Sequence, residues 1–138
     1  MIATKATVKD LMTSQVIVAH TSHSFTQICR LFFELDIHHL PVLNDQNELI
    51  GIISSNDALK VFSFRVPQMD LITEERLNAT FHVSDLMTPK PISVDPNTSI
   101  LQAAKLFDEH NIQSLPVVEG GKMVGILTTK DLIRAMAS

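Results

Sequence analysis

"GIISSNDALK" runs from Gly51 to Lys60, and "GILTTKDLIR", Gly125 to Arg134, says nearly the same thing again. Outward from this pair the rest of the chain is doubled too. Val8-Lys9-Asp10-Leu11-Met12-Thr13 matches Val83-Ser84-Asp85-Leu86-Met87-Thr88. The register then continues without a gap, with Ser24, Gln27, Leu31, Phe32, Glu34 and Ile37 falling on Ser99, Gln102, Leu106, Phe107, Glu109 and Ile112, and Leu40-Pro41-Val42 falling on Leu115-Pro116-Val117. One residue drops out where "NDQNELIG", ending at Gly51, becomes "EGGKMVG", ending at Gly125. A length change confined to a polar turn is what two copies of one structural unit produce.

Within each copy the hydrophobic period alternates. Phe25, Ile28, Cys29, Phe32 and Leu35 line one helical face, as do Ile100, Ala103, Ala104 and Phe107, and Ser24 and Ser99 (with Thr98 beside it) are placed to cap these helices. Leu40-Pro41-Val42-Leu43 followed by Leu49-Ile50-Gly51-Ile52-Ile53 reads as a β-hairpin, and so does Leu115-Pro116-Val117-Val118 followed by Met123-Val124-Gly125-Ile126-Leu127. The proline near the start of each first strand suggests an edge or an entry point. A second helix begins near Ser54 or Thr128 and extends to about Phe64 in the first copy. A short apolar stretch after each Met-Thr, Val16-Ile17-Val18 or Pro91-Ile92-Ser93, supplies a leading strand. The expected architecture is a mixed α/β (α+β) chain of two β-α-β-β-α units: repeat one over 8–66, an inter-repeat segment over 67–82, and repeat two over 83–138. Leu71 to Leu77 in that segment can form a short helix; its remaining structure is open.

Composition narrows the function. With 138 residues, 45% hydrophobic and 19% charged, the chain can bury a real core and has no apolar run long enough to cross a membrane. Lys5 and Lys9 near the start are not followed by a signal-like apolar stretch, so a cytoplasmic protein is expected, with no membrane partner. The net charge is −4, Lys and Arg are scattered, and Trp and Tyr are absent, which argues against nucleic acid as a partner. The single cysteine, Cys29, lies among Phe25, Ile28 and Phe32 and reads as a buried thiol. Six histidines include His20 with His23 and His38 with His39, but no Cys or carboxylate cluster accompanies them at ligand spacing, so no metal is expected. No nucleophile-base constellation or glycine-rich phosphate loop points to an enzyme.

The doubled V-x-D-L-M-T, the doubled L-P-V after an amphipathic helix, and the doubled G-I-[IL]-[ST]-[ST]-x-D resemble, in that order and spacing, a tandem pair of CBS domains, the module named after cystathionine β-synthase. The resemblance covers Val8 to Arg134 apart from the inter-repeat segment. It implies two units packed through their sheets as a pseudo-twofold pair, with two clefts that each take an adenosine-containing ligand: AMP, ADP, ATP or S-adenosylmethionine. It implies a stand-alone regulatory module, an energy or metabolite sensor acting on an unidentified regulated protein, with the nucleotide as regulatory ligand and no cofactor.

Ser54-Ser55-Asn56-Asp57 and Thr128-Thr129-Lys130-Asp131 carry two readings. A hydroxyl residue with a carboxylate three positions on is close to a capping box, which needs no ligand. Alternatively the carboxylate accepts hydrogen bonds from ribose hydroxyls while the hydroxyl and nearby N–H groups face a phosphate. The resemblance favours the second, giving Ser54 and Asp57 in one site and Thr128 and Asp131 in the other. It also implies adenine contact near Val16 and Ile17, and near Pro91 and Ile92. Before each L-P-V the copies differ, His38-His39 against Gln113-Ser114, where relatives place basic residues against phosphate. The other cations near the motifs are Lys130, Arg134, Lys60 and Arg65. Apolar residues in excess of one small core, Phe33, Leu35, Val61, Phe62, Phe64, Val66 and Pro67, suggest a homodimer. The rival function is a structural dimerisation or protein-interaction module that binds no ligand.

Overall fold

Ser24 and Ser99 begin the two long helices as their positions require: each Oγ accepts the N–H three residues on, from Gln27 at 3.2 Å and Gln102 at 3.1 Å. Both helices end on a left-handed residue, Asp36 (φ 48°) and Asn111 (φ 51°). The computed structural model describes residues 5–137, so Ser138 at the end of repeat two lies outside it. In chain order the elements are α1 Val8–Leu11, β1 Ala19–His20, α2 Phe25–Leu35, β2 His39–Leu43, β3 Leu49–Ser54, α3 Ser55–Lys60, α4 Glu74–Thr80, α5 Val83–Leu86, β4 Thr88–Pro89, α6 Ile100–His110, β5 Ser114–Glu119, β6 Lys122–Thr128 and α7 Thr129–Ala137.

Both hairpins form as expected. β2 pairs antiparallel with β3 and β5 with β6, each with a register shift after the valine of L-P-V, at Val42/Leu43 and Val117/Val118. The one-residue difference between copies sits in the turns. The shorter one needs positive φ at Gly120 (58°) and Gly121 (78°), the longer one at Asn47 (61°).

The boundaries of packing are not the boundaries of the repeats. Ile17–Lys90 forms one compact unit, and the remaining described residues on either side of it form the other. The leading V-x-D-L-M-T segments are therefore exchanged. Thr13, from repeat one, pairs with Ile126 of repeat two through two hydrogen bonds of 2.9 Å, and Val8 is fully buried beside Leu115, Val117 and Leu127. Conversely, Thr88 and Pro89 form β4 against Ile52 and Gly51, and Val83 and Leu86 join the core of Phe25, Ile28, Leu40 and Ile53.

Glycine permits both exchanges. A Cβ on Gly125 would lie 2.6 Å from Met12 Sδ and 2.9 Å from the Thr13 carbonyl oxygen, while one on Gly51 would lie 2.8 Å from Met87 Cγ and 3.0 Å from Met87 Cβ. Real side chains do not tolerate such approach. The doubled glycine and the doubled methionine are two halves of one contact, made between copies.

The leading strands are shorter and later than expected. In place of Val16-Ile17-Val18 the first unit has Ala19–His20, parallel to Val42 and Leu43, and in place of Pro91-Ile92-Ser93 the second has one parallel bridge, Val94 to Val117. The prolines explain why. Val94 donates to the Pro116 carbonyl and accepts from Val118 N–H. Continuing the ladder upstream to Ile92, or to Ile17 in the first copy, requires an N–H from Pro116 or Pro41, and neither has one. β2 is thus flanked on both sides in a sheet of order β1-β2-β3-β4, which corrects the edge expectation for Pro41, whereas β5, with Pro116, lies in a two-stranded sheet with β6 and meets only the single bridge to Val94 on its other side.

The inter-repeat segment belongs to the first unit. After α3 the chain widens into a π-helical turn, Val61–Arg65, and then tightens into a 3₁₀ turn, Val66–Gln68, so the expected helix to Phe64 is regular only to Lys60. Val66 is buried and Val61 packs against the core, so these two do not add to the exposed apolar surface. The expected short helix begins at Glu74, capped by Thr73, and docks on α2: Asn78 Oδ1 accepts Thr26 N–H at 2.9 Å and Asn78 Nδ2 donates to Thr26 Oγ1 at 3.0 Å. Phe81 beyond it packs on Phe25, ring centroids 5.2 Å apart. Cys29 packs on this core too, and burial pushes its thiol up to about 11, away from nucleophilic chemistry at neutral pH.

Gly125→Ala is expected to destabilise the protein by ~1–3 kcal/mol, and by more than Gly51→Ala, since backbone oxygen faces Gly125 whereas only the Met87 side chain faces Gly51. Urea unfolding measures both. Met87→Ala is expected to restore part of the loss in Gly51→Ala; equal, negligible losses at the two glycines contradict the contact.

Candidate functional site

Each unit carries one strand-to-helix junction. At the end of β3 the Ser54 N–H donates to Asp57 Oδ2 at 2.8 Å and the Asp57 N–H donates to Ser54 Oγ at 3.1 Å. At the end of β6 the Thr128 N–H donates to Asp131 Oδ2 at 2.8 Å and the Asp131 N–H donates to Thr128 Oγ1 at 3.2 Å. Both are complete capping boxes, so the capping reading of the motif is correct as structure. Capping engages only Oδ2. Among the described residues neither Asp57 Oδ1 nor Asp131 Oδ1 has a hydrogen-bond partner, and both aspartates are half-buried, so each carboxylate is held in one orientation with an oxygen to spare.

The residues before each L-P-V are joined to the same junctions. The His38 carbonyl accepts Ser55 N–H at 2.9 Å and the Gln113 carbonyl accepts Thr129 N–H at 3.1 Å. His39 lies directly opposite Ser54 in the β2–β3 ladder, and Ser114 opposite Thr128 in the β5–β6 ladder. Directly opposed residues project from the same sheet face, so His39 shares a face with the Ser54 hydroxyl. Sequence alone could not separate the two histidines; here His38 is exposed and His39 half-buried. Burial pushes the His39 imidazole below its ordinary value, His38 pushes the same way, and Asp57 opposes them.

Of the expected adenine-contacting residues, Ile17 (39% exposed) is two residues upstream of β1, outside the paired ladder. Val16 falls on the other side of the division between units, with Pro91 and Ile92, and Ile92 packs against the second core. Lys60 and Arg134 are exposed one helical turn beyond Asp57 and Asp131, and Lys130 is exposed where the first copy has Asn56. Arg65 is engaged elsewhere, its guanidinium 5.0 Å from the centre of the Phe81 ring. Among the described residues no three His, Cys, Asp or Glu side chains converge as a metal site. His23 Nδ1 accepts the His20 N–H at 2.9 Å, which leaves its proton on Nε2. No helix is long and apolar enough to cross a membrane among the described residues.

Because folding lowers the proton affinity of His39, protonation costs more in the folded than in the unfolded chain. Its contribution to stability is fully present above the unfolded value of about 6.5 and is lost as pH falls through the lower folded value. His39→Gln is therefore expected to flatten the fall in urea midpoint between about pH 7.5 and pH 5. Parallel profiles for wild type and variant contradict this.

The CBS domain family model matches residues 8–63 and again 83–138. Among curated proteins, the uncharacterized protein MJ1426 of Methanocaldococcus jannaschii is 33% identical over 94% of this chain and 90% of its own length. The chloroplastic CBS domain-containing protein CBSX2 of Arabidopsis thaliana is 32% identical over 94% of this chain and 63% of its own. A homoserine O-acetyltransferase of Methanococcoides burtonii is 29% identical, but the match spans 24% of that enzyme. Among solved structures, the CBS domain pair of protein MJ0100 in complex with 5′-methylthioadenosine and S-adenosyl-L-methionine superposes with a TM-score of 0.80 at 25% identity, covering 96% of each chain. CBSX2 in complex with AMP superposes with a TM-score of 0.78 at 33% identity, covering 95% of this chain and 96% of that one. This chain belongs to the CBS domain family, with two CBS domains in tandem.

Proposed function

We propose that the chain is a regulatory module that binds an adenosine-containing ligand, AMP, ADP, ATP or S-adenosylmethionine, at its strand-to-helix junctions and reports it to a partner protein. The observation that carries this is the pair of capped aspartates: Oδ2 is fixed to the helix start and Oδ1 is left to accept ribose hydroxyls. Similarity to CBS pairs solved with AMP, or with S-adenosylmethionine and 5′-methylthioadenosine, supports the same reading. The ligand acts as an effector rather than a cofactor, and the module binds rather than catalyses. A cytoplasmic setting suits such a sensor. The second reading, a structural module without ligand, is favoured by one fact: both capping boxes close without help from any other molecule.

Thermal melts with AMP, ADP, ATP and S-adenosylmethionine separate the two. A ligand at a hundred times its dissociation constant adds about 2.7 kcal/mol of stability. Asp57→Ala and Asp131→Ala are each expected to lose about 1 kcal/mol of capping and, separately, to abolish the ligand-induced shift of one site. Absence of a shift with every ligand in wild type establishes the structural reading instead.

We further propose a homodimer. Phe33 is 89% exposed, Phe64 68% and Leu35 45% in the first unit, and Ile133 (64%) and Met136 (66%) lie bare on α7 in the second. Exposed aromatic and aliphatic side chains at this density are covered at low cost by a second copy of the same surface. Sedimentation at micromolar concentration is expected to give a dimer and Phe64→Glu a shift toward monomer; a wild-type monomer at all concentrations contradicts this.

A further inference from the structure

Met87 meets Gly51 with its sulfur. A Cβ on Gly51 would have the Met87 side chain as its three nearest neighbours, Sδ closest, then Cγ at 2.8 Å and Cβ at 3.0 Å. The thioether therefore lies in the space that a side chain on β3 would fill. The matching contact differs: Gly125 faces the Thr13 carbonyl oxygen at 2.9 Å as well as Met12, and Thr13 is held to Ile126 by two hydrogen bonds of 2.9 Å. What Met87 fastens is slight. β4 consists of Thr88 and Pro89, both exposed, and Lys90 beyond them donates to the Ile50 carbonyl at 3.2 Å. Met87 itself is half-buried, so its sulfur is within reach of a small solute.

We propose that the Met87 thioether is an oxidation site: its conversion to the sulfoxide by hydrogen peroxide loosens β4 from β3, and its reduction restores the contact. The chemistry is one oxygen-atom transfer. The peroxide O–O bond breaks, a sulfur–oxygen bond forms, the sulfur gives up two electrons and water leaves. Before oxidation a polarizable apolar group packs on backbone that carries no side chain to clash with it. The sulfoxide is larger and polar. Its oxygen has no room on the glycine side, where a Cβ would already come within 2.8 Å of Met87 Cγ; turned the other way, it draws the sulfur toward water and off Gly51. α5 stays in place, because Val83 and Leu86 are buried in the core on their own account. The effect falls on β4, whose release opens the outer edge of β3 at Gly51 and Ile52, shortly before Ser54 on the same strand. A methionine sulfoxide reductase reverses the step, a dithiol becoming a disulfide while the oxygen leaves as water. No ligand at the junctions is involved, so this site stands or falls apart from the adenosine reading.

The test treats the whole chain with hydrogen peroxide, locates the added oxygen by peptide mass spectrometry and follows amide hydrogen exchange at Lys90, whose N–H reports the pairing of β4 with β3. Met136, 66% exposed on α7, is the reference for an unprotected thioether. Met87 is expected to be oxidised within about tenfold of the Met136 rate and Lys90 to exchange about tenfold faster afterwards. Treatment with the two methionine sulfoxide reductases, one for each sulfoxide epimer, and a dithiol is expected to return Lys90 to its starting rate. Met87→Leu nearly keeps the volume and cannot be oxidised, so its Lys90 exchange is expected not to respond to peroxide. Met87→Gln, polar from the start, is expected to exchange fast at Lys90 without treatment. Met87 left unmodified when Met136 is fully converted, oxidised Met87 with unchanged exchange at Lys90, or a Met87→Leu protein that responds to peroxide as wild type does overturns the assignment.

Discussion

The contact on which the structure depends is the approach of a methionine side chain to a glycine backbone, made twice, Met12 to Gly125 and Met87 to Gly51. A strand with any side chain at the glycine excludes the methionine; without the methionine the glycine leaves a void beside the hairpin. Because each contact joins residues from different repeats, neither repeat completes its own packing. α1 packs Val8 into the core beneath the hairpin of repeat two, and α5 adds Val83 and Leu86 to the core of repeat one while β4 extends its sheet.

The same hairpins set the junctions. Pairing of β2 with β3 and of β5 with β6 puts the residue before L-P-V opposite the last strand residue, whose hydroxyl caps the following helix. The cap orients a carboxylate, and in doing so uses only one of its oxygens. Capping at these aspartates is thus compatible with the binding role proposed for them. An aspartate that is not held would lose orientational entropy on meeting a ligand; one already held by its own helix loses less.

How much of this was legible in the sequence depended on whether the signal was local. The helices around Phe25 and Ile100, the serine caps and the two hairpins follow from periodicity and turn chemistry within a dozen residues, and all formed. The exchange of leading segments left no such trace, because aligning Met12 with Met87 and Gly51 with Gly125 shows neither that methionine meets glycine nor which of each pair would meet. The prolines misled for a related reason: Pro41 lacks an N–H wherever its strand lies, and the cost fell on the neighbouring strand, which starts only at Ala19. At the site, Ser54, Asp57, Thr128 and Asp131 could be named from the motif. The difference between His38 and His39 could not, since it arises from strand alternation at a boundary that sequence places only to within a residue or two. Arg65, a free cation on paper, is engaged with Phe81, which lies sixteen residues on and reaches it only through the fold of the inter-repeat segment.

The central claim, that the capped aspartates face a ligand, is tested most directly by an amide NMR titration of the whole chain with AMP and with S-adenosylmethionine. The N–H groups of Ser54, Asp57, Thr128 and Asp131 are bonded within the capping boxes and report on them individually. Saturable shifts that are largest at these amides are expected. Saturable shifts centred elsewhere, or none with either ligand, would contradict the account.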